Sequence, residues 1–175
     1  METLTLWVVT QWAVVLLVET QMLWVVTLTQ WEATQMLWEQ TLTLWDNLCQ
    51  TPQTLLVVKT HLLTPCGLRT LFPEDPQYHG FYGGSQFKRD MAYHQGTTWV
   101  FPMGAYLRAC LKVHGEEGAK HVKQALSNME AMLYEGCAGQ LPEIYDGDYP
   151  QKGKGCYAQA WSVGEILRVY EALEK

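Results

Sequence analysis

The sequence predicts an all-α fold for residues 61–175, and three observations predict it. Apolar residues recur at helical spacing in three separate stretches. No run alternates apolar and polar residues with the period of two that a half-buried strand needs. Pro and most of the Gly cluster between the periodic stretches, where they read as loops. The chain is 175 residues long, enough for one ordinary domain with a core of its own. Residues 1–60 are a different text, and no fold is assigned to them.

The seam between the two is compositional. Residues 1–60 hold 46 Thr, Leu, Val, Gln or Trp, six of the eight Trp and one Lys, with no Gly, Tyr, Phe or Arg. All fourteen Gly and eleven of the twelve basic residues follow. Trp24, Trp31, Trp38 and Trp45 fall seven apart, in the consecutive units TQMLWVV, TLTQWEA, TQMLWEQ and TLTLWDN. A coiled coil would share that period, but the apolar sites do not settle at a and d, and no charges pair at e and g. Thr, Val and Trp also favour strand over helix. The clean apolar run of residues 12–18 is far shorter than the roughly 20 residues a bilayer core requires. A tandem seven-nucleotide repeat, by contrast, regains its frame every seven codons and yields this period with no selection for structure. Residues 1 to about 50 are therefore expected to be a translated repeat, a low-complexity segment rather than a domain, carrying no functional residue. A coding sequence without a seven-base repeat there would refute this.

From His61 the elements follow in order. Residues 64–84, TPCGLRTLFPEDPQYHGFYGG, read as a long Gly/Pro-punctuated loop. Pro102 suits a helix's first turn, and residues 103–114 read as helix up to Gly115. Residues 116–135 place Ala119, Val122, Leu126, Met129 and Leu133 on one stripe, closed by Gly136. Residues 158–173 do the same with Val163, Leu167, Tyr170 and Leu173. Between these last two helices, residues 137–157 form a polar loop carrying Glu143, Asp146 and Asp148. Long loops on a rigid scaffold are where sites concentrate.

Composition excludes several functions. A net charge of −6 supplies no basic face for nucleic acid or for an anionic membrane surface. The five cysteines, Cys49, Cys66, Cys110, Cys137 and Cys156, are odd in number and form no C-x-x-C pair. They fit free thiols in a reducing compartment better than a disulfide framework or zinc site. No basic n-region follows Met1, so cytoplasmic localisation is expected. Asp146-Gly147-Asp148 fails as an EF-hand, because Pro150 and Gln151 stand where the fifth and sixth loop positions need Asp or Asn and then Gly. The glycines of residues 80–85 lack the Gly-Lys-Ser/Thr ending of a phosphate loop. Neither a metal ion nor a cofactor is expected.

A set of polar and aromatic loop residues remains: Arg69, Asp90, Tyr93, His94, Gln95, Trp99, Glu143, Tyr145, Asp146 and Trp161. Singly, each suits a loop brace or a helix cap. Together they have the composition of a carbohydrate site, where flat rings meet the CH faces of a sugar and polar groups pair with its hydroxyls.

Four ordered motifs carry a resemblance: TPCGLRTL at 64–71, YHQGTTW at 93–99, LPEIYDGD at 141–148 and GCYAQAWSV at 155–163. Residues 61–172 resemble the C-terminal part of the amylo-alpha-1,6-glucosidase domain of the glycogen debranching enzyme family. The resemblance implies the C-terminal portion of an (α/α)6 toroid, incomplete here, and inverting hydrolysis of α-1,6 branch linkages in glycogen or a related α-glucan. It assigns Glu143 as the general base. It assigns Tyr93, His94, Gln95 and Trp99 to the glucose subsite, and Arg69, Asp146 and Trp161 to sugar contacts or braces. Where the family reads Gly-Thr-Val-Trp-Pro, this chain has Thr98 and Val100. The family's general acid is an upstream Asp with no counterpart motif here; Asp90 and Asp148 are the in-chain alternatives.

An inverting hydrolase needs both carboxyl groups, so the chain is expected to carry the family function in an incomplete form, inactive alone. Two other readings stay open. One is a non-catalytic α-glucan-binding protein. The other is an enzyme half completed in trans by a separately encoded N-terminal half.

Overall fold

The computed structural model describes residues 51–135 and 138–175. The heptad units of residues 1–50, together with Cys49, Gly136 and Cys137, lie outside the described residues. Among the described residues the first helix is α1 (Pro52–Val57), and its start is capped: Thr51 Oγ1 accepts the Thr54 N–H at 3.2 Å, and Pro52 occupies the first turn. It continues into a π-helical turn, Val58–Leu62. Leu55, Val58 and Leu62 are buried in the main core, so that core draws on residues upstream of the compositional seam.

The all-α expectation is corrected here. The two segments expected to be loops contain most of a five-stranded antiparallel sheet, in the order β1 (Leu63–Thr64), β2 (Gly67–Arg69), β3 (Thr98–Trp99), β4 (Ile144–Tyr145) and β5 (Gly153–Lys154). Leu68 faces Trp99, Trp99 faces Ile144, and Ile144 faces Lys154 across successive ladders. The strands escape a periodicity search for two physical reasons. Two or three residues are too few to alternate, and the central strands are covered on both faces, so Leu68, Thr98, Trp99, Ile144 and Tyr145 are all buried.

Helix α2 (Gln86–Tyr93) lies between β2 and β3 and is capped by the Ser85 hydroxyl; it too was not expected. Helix α3 spans Phe101–Met132 and bends at Gly115, whose φ of 51° and ψ of −123° are not helical. The two expected helices thus exist, meeting at the expected glycine. Val122, Leu126 and Met129 of the predicted stripe are buried.

Helix α4 (Ala160–Leu173) packs along α3. Its buried face is Ser162, Glu165, Ile166 and Val169, whereas Leu167, placed on the inner stripe by periodicity, is 60% exposed. The cause is electrostatic. Glu165 lies between α3 and α4, 2.8 Å from Arg108 and 2.7 Å from Arg168, and a buried carboxylate must face its cations. Gly104 of α3 lets the helices meet there, since a β-carbon would come within 2.7 Å of Glu165 Cβ. Among the described residues, no helix is long and apolar enough to cross a membrane.

Candidate active site

The β4–β5 hairpin sets the centre of the site. Glu143 immediately precedes β4, and Cys156 follows β5 by two residues. Their backbones continue the ladder, the Glu143 N–H donating to the Cys156 carbonyl at 2.8 Å. The Cys156 N–H in turn donates to Glu143 Oε2 at 3.0 Å. The other oxygen, Oε1, accepts a hydrogen bond from the Tyr93 hydroxyl at the end of α2. Two donors from separate elements therefore fix the carboxylate, which a single hydrogen bond would leave free to swing.

An aromatic cluster stands beside it. The Tyr93 ring meets Trp99 edge-on at 4.9 Å and Tyr82 at 5.8 Å. His94 stacks on Trp99, with centroids 5.5 Å apart and planes 14° apart. Trp99 in turn lies 6.1 Å from Trp161. Trp99 is only 1% exposed, and its indole N–H donates to the Tyr93 carbonyl and the Thr97 hydroxyl. It forms the floor of the cluster rather than a platform open to solvent. Both ring nitrogens of His94 are buried and meet no hydrogen-bond partner among the described residues. Burial pushes its pKa down to about 4, so the ring is neutral at physiological pH.

The other expected residues hold the surrounding loops. Arg69 donates from Nε to the Gly147 carbonyl at 2.9 Å. Asp146 is buried, accepting the Tyr82 N–H on Oδ1 and standing 3.9 Å from Lys154 through Oδ2. Gln95 acts through its backbone, donating to Ala92 and accepting the His79 N–H. Of the in-chain alternatives for the acid, Asp148 accepts a hydrogen bond from the Tyr78 hydroxyl, and Asp90 is exposed on α2.

Thus Tyr93, His94, Trp99, Trp161 and Glu143 come together, while Arg69, Asp146 and Gln95 brace. Sequence reasoning missed Cys156, since its contribution is a backbone N–H that no residue type announces; only the hairpin register reveals it. It also missed Lys154 and Tyr82. These two line a cleft of about 670 Å³ with Phe81, Phe87 and Asp146. A second cleft of about 290 Å³ is lined by Pro142, Tyr145, Gly155 and Tyr157, and Lys154 borders both. Glu143 lines neither cleft, but Gly155 on the wall of the second lies directly against its carboxylate.

Residues 37–168 match the sequence model of the family described as amylo-alpha-1,6-glucosidase. The glycogen debranching enzyme of Saccharomyces cerevisiae is 32% identical to this chain, across a region covering 61% of the chain and 8% of the yeast protein.

Proposed function

This chain belongs to the amylo-alpha-1,6-glucosidase family, and on that premise we propose that Glu143 is the general base for inverting hydrolysis of α-1,6-glucosidic linkages in a glycogen-type branched α-glucan. The observation that carries this reading is the two-donor hold on its carboxylate, by the Tyr93 hydroxyl and the Cys156 N–H. A general base must present one oxygen to a water on the face of the sugar opposite the leaving group, and a misaimed carboxylate loses rate steeply. Of the neighbouring rings, Tyr93 and Trp161 are only half-buried and suit a glucose unit, whose CH faces pack on aromatic surfaces.

Inversion requires a second carboxyl about 6.5–9.5 Å from the first, protonated until the leaving oxygen accepts its proton. Asp146 and Asp148 are occupied as braces, and Asp90 is exposed. The proposal for this chain is accordingly a base without an acid: no glucose release from a branched oligosaccharide by the chain alone, the acid coming from a segment outside residues 61–175.

A substrate that needs no acid separates the two halves of this proposal. In α-glucosyl fluoride the C1–F pair leaves as fluoride without protonation. Attack by water then needs only a base, which takes the water proton as the C1–O bond forms and β-glucose results. The chain is expected to release fluoride above background, with β-glucose as the first anomer seen by NMR, and Glu143→Gln is expected to abolish the excess. Equal release by the wild-type chain and Glu143→Gln would remove Glu143 from the role. Glucose release from an α-1,6-branched malto-oligosaccharide by the chain alone would show that an in-chain carboxyl serves as acid.

A further inference from the structure

A third cleft, of about 540 Å³, opens between α1 with its π-helical turn and the middle of α3, and shares no lining residue with the two beside β5. Its volume lies within the range of small-molecule sites. Lys59 reaches it from the first element, and His114, Lys120 and His121 from the second. Glu117 is the one carboxylate on its wall, and it is taken by Lys120 at 2.7 Å. Among the described residues, no carboxylate pairs with Lys59, His114 or His121. The chain as a whole carries a net charge of −6, so three basic side chains facing one cavity without a counter-charge is a local reversal.

The site is built as well as charged. Tyr106, 1% exposed, holds the His121 ring from below through a 3.0 Å contact between its hydroxyl and Nε2. The rings meet edge to face at 5.8 Å. Gly118 lets the two halves of α3 close together at the cleft: a β-carbon there would lie 2.1 Å from the Cys110 carbonyl oxygen. Leu55 and Leu56 supply an apolar wall. Burial first, then the proximity of Lys59 and His114, holds the His121 pKa below its ordinary value, which means that the three groups repel one another when charged. An anion would relieve that repulsion. A metal ion would not suit the cleft: no group of three or more His, Cys, Asp or Glu among the described residues is arranged to hold one.

We propose that this cleft binds a phosphate monoester, with Lys59 and His121 on the phosphoryl oxygens, His114 at the rim and the organic group against Leu55 and Leu56. A phosphoryl group fits better than a carboxylate because it presents three acceptor oxygens and a charge near −2 to three donors.

The test is an NMR titration of the full chain with inorganic phosphate and with a hexose phosphate, following the His121 imidazole at fixed ionic strength. The expected result is saturable binding of both, tighter for the ester, with the His121 titration midpoint moved upward. Lys59→Ala should weaken binding about tenfold or more, the loss of one charge-assisted contact, and Lys59→Arg should retain most of it. Lys59 is exposed, so both variants are expected to melt like the wild type. A linear, non-saturating response, or equal affinity in the wild type and Lys59→Ala, would overturn the proposal. Saturable binding of phosphate with no preference for the ester would overturn the role given to Leu55 and Leu56.

Discussion

A β-carbon at Gly155 would lie 2.4 Å from Glu143 Oε2 and 3.2 Å from Glu143 Cβ. Gly155 also has a φ of +67°, in the left-handed region that side chains avoid. Gly155→Ala must therefore either push the carboxylate off its two donors or distort the hairpin. The expected outcome is a fall of about 10²-fold in fluoride release from α-glucosyl fluoride, as a misplacement near 1 Å commonly produces. The urea midpoint should drop by the equivalent of about 1–2 kcal/mol. Unchanged fluoride release would mean that the position of Glu143 does not matter to the chemistry.

The Tyr93 hydroxyl can be removed without removing its ring. Tyr93→Phe keeps the packing on Trp99 and Tyr82 but leaves Oε1 without this donor. Hydrogen bonds to charged groups contribute about 1.5–3 kcal/mol. Fluoride release is expected to fall between about tenfold and a hundredfold, with most of the loss in kcat. A variant whose loss lies wholly in KM would make Tyr93 a substrate contact instead.

Gly104 of α3 and Glu165 of α4 lie in close contact where the two helices pack. An alanine β-carbon at position 104 would meet Glu165 Cβ at 2.7 Å and its backbone oxygen at 2.8 Å. A backbone atom cannot rotate away, so the helices must separate. Gly104→Ala should lower stability by about 1–3 kcal/mol despite its better helix propensity, measured by urea unfolding. A stabilised variant would show that the crossing has slack.

His94 ties stability to pH. Its pKa falls from 6.5 unfolded to about 4 folded because the ring is buried. Between those values the unfolded chain takes up a proton that the folded one refuses, so unfolding is favoured as pH falls. The contribution is fully present above pH 6.5 and is lost as pH drops towards 4, amounting to about 3 kcal/mol across the window. His121 is shifted in the same direction, so the clean comparison is His94→Phe against the wild type. The variant should show a flatter dependence of urea midpoint on pH between 6.5 and 4. Parallel curves would mean that folding does not shift the His94 pKa.

Legibility followed the range of the interaction. The bend at Gly115 and the buried Val122, Leu126 and Met129 were readable, because helical spacing is local. The rotation of α4 was not. Leu167 looked as apolar as Ile166, and what turns it outward is Glu165 meeting Arg108 from 57 residues away. The sheet was hidden for a similar reason, since each of its strands is defined by its partner and not by its own two or three residues. At the site, side-chain chemistry marked a set of ten loop residues, and the family resemblance singled out Glu143, Tyr93 and His94 among them. Trp99 was marked as a sugar contact and lies buried beneath them. Cys156, whose amide matters and whose thiol does not enter the geometry, left no trace in residue type.

The two donors to Glu143 stand at unequal distances along the chain, Cys156 thirteen residues away and Tyr93 fifty. Closing the longer loop costs roughly 1 kcal/mol more entropy, at about 0.6 kcal/mol per doubling of length, and it waits on β3 finding β4 across the whole of α3. By that ordering the hairpin amide is expected to meet the carboxylate before the tyrosine does as the chain folds.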